Sequence, residues 1–296
     1  MPIEDWIRKA ARATWMKDRA PREALESHKP DFGLFRDLNL QMVFGVTLIS
    51  VLGVASVAPL FPAIARDLGI SPARVSWLIT AFTLPGVFLP PFLGVMTDRV
   101  GRKAVLVPAL FLFALAGTAC AFTRDFATLL ALRFLQGMGA SPLSGMNVTL
   151  VGDLYKGHRR VDALGFNASV LSVGTAVYPA LGGALGLLGW HAPFLLPLLA
   201  IPVGLGSIFV LKLPALPASK PPLKAYLLQA ARMATDPRIL GVFLASTSTF
   251  VILYGSFHTY LPMLMALKFR VSSLVIGLMA SSMSVSNAVL ASQAGR

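Results

Sequence analysis

Gly94-Val95-Met96-Thr97-Asp98-Arg99-Val100-Gly101-Arg102-Lys103 forms a short charged turn between two long apolar runs, and its reading decides the fold. Charges gathered in so brief an interruption mark a connection that leaves a bilayer and re-enters it. Gly94 removes side-chain bulk where helices can pack closely, and Gly101 permits the backbone of a tight turn. Asp98 and Arg102, with Asp153 at the end of a later apolar run, form a charge cluster able to exist in one conformation and break in another. The plainer alternative is that these cations only anchor the turn on one side of the membrane.

The rest of the chain agrees with a bilayer setting. Of its 296 residues 55% are hydrophobic and 13% charged, and its mean hydropathy is +0.71. This is far more apolar than a soluble domain requires. Crossing about 30 Å of hydrocarbon takes roughly 20 residues at 1.5 Å each. About eight runs qualify, at residues 40–65, 75–97, 104–122, 126–151, 163–188, 193–211, 239–267 and 271–294. No strand alternation competes with them, so the expected fold is all-α and an outer-membrane barrel is excluded.

The net charge of +13 does not point to nucleic acid, because the positive residues fall in alternate connections rather than on one face. Twenty of the 26 Lys and Arg lie before the first run, in every second loop, or at the last residue. The positive-inside rule then places the N-terminus and the Asp98 turn in the cytoplasm of a plasma (inner) membrane protein. Cys120 is the only cysteine, which leaves no intrachain disulfide or cysteine-rich metal site.

Residues 1–39 form a basic segment without the apolar core of a signal peptide. Ile3, Trp6, Ile7, Ala10, Ala11 and Trp15 recur at helical spacing among Arg8, Lys9, Arg12 and Lys17, which suits either a helix on an anionic membrane surface or a solvated tail. Residues 40–212 then carry six runs. Residues 213–238, rich in proline from Pro214 to Pro222, read as a cytoplasmic linker, with a short surface helix expected over 224–234. Residues 239–296 hold two more runs. A weak repeat at an offset of 201 aligns Gly69-Ile70-Ser71 with Arg270-Val271-Ser272, and Leu93-Gly94 with Ala294-Gly295. Six runs before the linker and two after it suggest a C-terminal truncation, the full protein having roughly 400 residues in two similar halves.

Four motifs carry a resemblance. The G-x-x-x-D-R-x-G-R-K pattern of residues 94–103 resembles the signature loop of the major facilitator superfamily. Arg133-Phe134-Leu135-Gln136-Gly137-Met138-Gly139 is similar to its R-x-x-Q-G-x-G pattern. Gly165, Gly174, Pro179, Gly182 and Gly183 resemble its antiporter motif, with Tyr178 where that motif has glycine. Pro59 and Pro62 lie like the outer end of the first helix in drug-efflux members. The resemblance implies a secondary transporter of the 12-helix drug:proton antiporter branch, a monomer at full length, that exports a small amphipathic compound against protons by rocking two bundles. It makes residues 94–103, with Arg99 and Lys103, a gating latch, and Arg133 a residue that biases a proton site.

Arg133 also stands out on its own. It lies roughly 13 Å inside its run by helix rise, where an arginine costs about 2.5–3.5 kcal/mol, so it should face a bundle interior. The runs hold no central Asp or Glu. His258, on a face with Thr247 and Tyr254, is therefore either the mid-span proton carrier or a hydrogen-bonding wall residue. Gln136, Asn167 and Tyr254 are further cavity candidates. Tyr178 and the missing carboxylate keep a metabolite uptake carrier open as the alternative. A non-transporting receptor, a defective fragment and a membrane enzyme are the other classes. No nucleophile–base set or G-x-x-x-x-G-K-[ST] loop supports catalysis or ATP hydrolysis, and no cofactor or metal is expected.

Overall fold

Asp37 starts the first membrane helix by capping it. Its carboxylate accepts from the Asn39 backbone N–H at 2.9 Å and from the Tyr155 hydroxyl at 2.7 Å, tying the helix start to a residue over a hundred positions away. Burial and the Asp37 bond together push the Tyr155 phenol above its ordinary value. The computed structural model describes residues 31–213, 237–251 and 258–294, and all its regular elements there are helical.

Helix α1 is Leu38–Asp67, which passes through a 3-10 turn at Ala58–Leu60. Pro59 and Pro62 lack the N–H groups an unbroken helix would need there. The second run becomes two helices, α2 (Pro72–Phe88) and α3 (Pro90–Val100), bent by 53°. Pro90 and Pro91 account for the break. Gly101, at φ 103°, supplies the left-handed turn into α4, Arg102–Phe122.

Helix α5 spans Phe126–Leu154 and α6 spans Gly157–Leu185. Asp125 caps α5, accepting from the Thr128 backbone N–H at 2.8 Å and its hydroxyl at 3.0 Å. These bonds, the backbone one first, hold the Asp125 carboxyl below the usual carboxylate value. Then follow α7 (Ala192–Phe209), α8 (Pro237–Val251), α9 (Leu261–Phe269) and α10 (Ser273–Ala294).

Among the described residues four helices, α1, α4, α6 and α7, are long and apolar enough to cross a membrane, or five if α2 and α3 count as one span. This is fewer than the eight expected. Helix α5 has 29 residues, ample length, but Arg133, Gln136, Ser141 and four glycines dilute its apolar character. For the seventh run only α8 and α9 are described, on either side of residues 252–257, and for the eighth the apolar stretch described is Ser273–Ser286, so neither is counted among these spans.

The packed interior has two apolar clusters. One, toward the end that carries Asp98 and Asp153 (the basic end), joins Leu40, Val43 and Val46 of α1 to Leu106 and Leu110 of α4 and Leu150 of α5. The other, toward the far end, joins Leu60, Phe61 and Ile64 to Leu78, Leu129, Trp190 and Phe194. The Trp190 indole N–H donates to Asp67 at 2.7 Å and closes that end. Helix α5 packs on α1, α2 and α4, α7 on α4, and α10 against α6. The basic segment 1–30, the linker segment 214–222, the helix expected over 224–234, Tyr254 and Gly295 all lie outside the described residues.

Candidate functional site

At the basic end the structure brings Asp98, Arg102 and Asp153 together. Arg102 Nη1 stands 2.9 Å from Asp98 Oδ1, one turn back across the glycine corner, while its Nε donates to Asp153 Oδ2 at 3.0 Å. A second bond from Nη1 to the Thr97 carbonyl, at 3.3 Å, fixes the guanidinium over the end of α3. One side chain thus links α3, α4 and α5. Lys103 donates to the carbonyls of Ile208 and Leu211, where α7 ends. Arg99 is exposed, and α3 buries none of its residues. Gly94, partly buried, accepts from the Thr97 hydroxyl at 2.8 Å through its carbonyl.

Midway along the bundle, in the seam between the two clusters, Arg133 is fully buried, with no carboxylate paired to it among the described residues. Its Nη1 donates to the Gly53 carbonyl and to Gln136 Oε1, each at 2.9 Å. Its guanidinium carbon lies 4.5 Å from the centre of the Phe82 ring and 5.8 Å from that of Phe194. Arg133 Nε and Nη2, Gln136 Nε2 and Ser141 Oγ are buried without a hydrogen-bond partner among the described residues. Helix α5 fits here because its glycines let backbones meet: a Cβ on Gly137 would fall on the Phe82 carbonyl, and one on Gly139 would meet the Ala109 carbonyl and the Phe113 N–H.

The glycine-marked helix α6 does different work along its length. A Cβ on Gly182 would strike the Ser56 carbonyl, just before the 3-10 turn of α1, and one on Gly183 would strike the Ser273 carbonyl. The contact is mutual, since a Cβ on Gly277 of α10 would strike the Pro179 carbonyl. Two hydrogen bonds seal it: the Ser273 hydroxyl donates to the Gly183 carbonyl, and the Ala180 N–H to Ser281 Oγ, each at 3.1 Å. Gly174 lies against Leu48, Val51 and the Tyr178 ring, whose large side chain is buried back over its own helix while Gly182 and Gly183 keep their close contacts. Gly165 departs from the expected close packing, with nothing near its Cβ position.

Two cavity candidates, Gln136 and Asn167, sit differently from expectation, and a third, His258, does border a cavity. Gln136 is sealed against Arg133, and Asn167 is 4% exposed, accepting from the Thr47 hydroxyl at 2.6 Å, so both are buried between helices rather than lining an open cavity. His258 borders a cavity of about 20 Å³ together with Pro59, Pro179, Pro262 and Ile276, enough for about one water molecule. Pro62 is buried at the far end of α1.

A conserved-family profile, that of the Major Facilitator Superfamily, matches residues 43–296. The chain belongs to the major facilitator superfamily. It is 31% identical over 163 residues to the bacillibactin exporter of Bacillus subtilis, covering 53% of this chain and 40% of that protein. It is 27% identical over 153 residues to the quinolone resistance protein NorA of Staphylococcus aureus, covering 52% and 39%. A third relative, the riboflavin transporter RibZ of Clostridioides difficile, is 27% identical over 162 residues, covering 54% and 34%. The matched part is therefore well under half of each curated relative. Among solved structures, an inward-facing, occupied bacterial homolog of the human lysosomal transporter Spinster superposes with a TM-score of 0.68 at 17% identity, covering 85% of this chain and 58% of that one. A D-xylose-proton symporter gives 0.60 at 18%, covering 84% and 65%. At these identities the likeness is one of fold, and that fold is the major facilitator fold.

Sequence reasoning missed the partners of Arg133. Gly53, Phe82 and Phe194 lie on three other helices, and no motif marks them. It also missed Tyr155, Trp190 and the α10 residues Ser273, Gly277 and Ser281, although the small-residue composition of 273–286 was a usable signal.

Proposed function

We propose that the chain is part of a secondary transporter that works by alternating access and exports small amphipathic compounds in exchange for protons. The observation that carries this reading is Arg133: a buried cation that, among the described residues, has no paired carboxylate and unfilled donors on itself and on Gln136. The bonds to Gly53 and Gln136 and the Phe82 face hold the guanidinium, but the buried donors left over among the described residues are a feature that packing alone does not call for. Arg133 would act by raising the local positive potential, so that a proton is held less tightly at a neighbouring site when Arg133 faces it.

The two ends supply the gates. At the basic end, proposed to be cytoplasmic from the distribution of lysine and arginine, Arg102 joins helices through polar bonds that water can replace. At the far end, α6 and α10 meet through glycines with backbone carbonyls in contact range. Residues 40–212 act as one bundle, residues 213–238 as the linker, and α8–α10 as the start of the opposing bundle. His258 borders the small cavity between α1, α6, α9 and α10, which supports a role for it in sensing proton movement or lining the path. Export is supported by the printed names of two relatives, an exporter and a drug-resistance protein. Tyr178, which replaces a glycine of the antiporter pattern, favours uptake as the second reading.

The test is ethidium flux in everted vesicles containing the full-length protein, with an imposed pH gradient. Export predicts uphill dye uptake into the vesicles that collapses with nigericin and is lost in Arg133→Gln. Dye movement that ignores the gradient would sink the proton-coupled reading, and flux only in right-side-out vesicles would favour uptake.

A further inference from the structure

The basic end contains a cleft of which the gating reading uses only Arg102 and Asp153. It lies between the start of α4, the end of α5, the start of α6 and the end of α7, and its volume is about 1050 Å³. Small-molecule sites run to about 300–1,000 Å³, so the space is ample for a polar headgroup. Arg102, Lys103, Lys156 and Lys212 line it against a single carboxylate, Asp153. That carboxylate is already taken by Arg102, which Asp98 also faces.

Three lysines therefore set the charge of the cleft. Lys103 has three N–H donors, two of them on the Ile208 and Leu211 carbonyls. Lys156 and Lys212 are exposed and form no ion pair among the described residues. Their backbones are nonetheless fixed. Lys156 is the N-cap of α6, next to the buried Tyr155, and the Lys212 N–H is held by Asn39 Oδ1 at 2.8 Å. The fold thus positions two cations at a cleft and leaves their charge unmet.

The rest of the lining is apolar, through Val107, Pro108, Ile208 and Leu213. That surface continues along α7 to Leu205 and Phe209, which are 44% and 77% exposed. A cationic rim above an apolar wall suits a molecule with an anionic head and a hydrocarbon tail better than a free anion. The chain that follows Leu213 brings Lys220, Lys224 and Arg232 against one acid, Asp236, so it offers no surplus negative charge to fill the cleft.

We infer that this cleft binds the phosphate headgroup of an anionic phospholipid, with Lys156 and Lys212 as the main charge contacts, Lys103 as the third, and the acyl chains along α4 and α7. This inference goes beyond transport and holds whichever direction the protein moves its substrate.

Native mass spectrometry of the purified chain in detergent tests it. The titrants are phosphatidylglycerol, phosphatidylcholine with the same acyl chains, and soluble glycerol 1-phosphate. The expected result is tight phosphatidylglycerol binding, with phosphatidylcholine and glycerol 1-phosphate much weaker. Each lysine near a lipid surface contributes about fivefold, so Lys156→Gln with Lys212→Gln should weaken phosphatidylglycerol binding roughly 25-fold. Replacing the same two lysines by arginine should keep affinity within a few-fold, which separates lost charge from lost folding. Arg36→Gln with Arg159→Gln removes equal charge outside the cleft and should change affinity less than twofold. Equal binding of both lipids, or equal losses in the two glutamine pairs, would overturn the site. Glycerol 1-phosphate binding as tightly as the lipid would overturn the lipid as its occupant.

Discussion

Replacing Arg133 by Met removes the cation from the seam while keeping an unbranched side chain of similar reach. The shared Nη1 donor to the Gly53 carbonyl and Gln136 Oε1 contributes about 3 kcal/mol, taking charged hydrogen bonds at about 1.5–3 kcal/mol. The contact with the Phe82 face contributes about 2 kcal/mol in a dry site. Against this, the variant is relieved of burying a charge, about 2.5–3.5 kcal/mol at mid-membrane. The difference is a destabilisation of about 2 kcal/mol. For a chain of this order of size, at about 2–4 °C per kcal/mol, that is a fall of roughly 4–8 °C in melting temperature. The assay is built into the protein, because Cys120 is the only cysteine and is fully buried, its thiol donating to the Ala116 carbonyl at 3.3 Å. A fluorogenic maleimide labels it only when the far-end cluster opens, and the reading is the onset temperature. Arg133→Lys keeps the charge without the flat stack and should fall in between. An Arg133→Met protein that melts at or above the parental temperature would show that desolvation outweighs the contacts and would refute this energetic account of the seam.

Gly277→Val should force α6 and α10 apart, because its side chain meets the Pro179 backbone carbonyl, which has no rotamer to change. Overpacking of this kind costs about 1–3 kcal/mol, so lower thermal stability and greater water access at the far end are expected, read by labelling a cysteine placed at Leu187. Gly101→Ala imposes a side chain at φ 103° and should lose about 1–3 kcal/mol, measured as a lower melting temperature, with Gly86→Ala, which meets open space, as the milder comparison. Asp125 has its carboxyl lowered from 3.8 by the Thr128 bonds, so its contribution is present above that value and is lost as pH falls through the lower folded value. Asp125→Asn should therefore flatten the acid limb of a melting-temperature profile below about pH 4; an unchanged limb would remove Asp125 from the account.

The sequence makes the helical fold and the charged turn plain, because a bilayer imposes long apolar runs and tight polar connections on any chain that crosses it. Gly101 and the Arg102 bonds to Asp98 and Asp153 are local or motif-marked, so their meeting was readable. Arg133 was readable as a buried charge, yet its partners were not, since a backbone carbonyl and two phenyl rings on other helices leave no pattern in composition. The same reason explains why Gln136 and Asn167 read as cavity residues: a polar side chain facing a neighbouring helix and one facing water share the same helical spacing. Helix α5 was expected to be a span, and its polar seam is what dilutes its hydropathy in the fold. The bend at Pro90 and Pro91 was missed, since residues 75–97 read as one run; proline chemistry accounts for the break, and its size depends on packing around α3 that no sequence rule supplies.

The most direct test of alternating access is a pair of spin-label distances in a Cys120→Ser background. One pair, at Leu187 and Arg270, spans the far end, and the other, at Val161 and Ser286, spans α6 and α10 toward the basic end. The account predicts that changing pH in the presence of a transported compound lengthens the first distance while it shortens the second. Two distances that stay fixed, or that grow and shrink together, would contradict it.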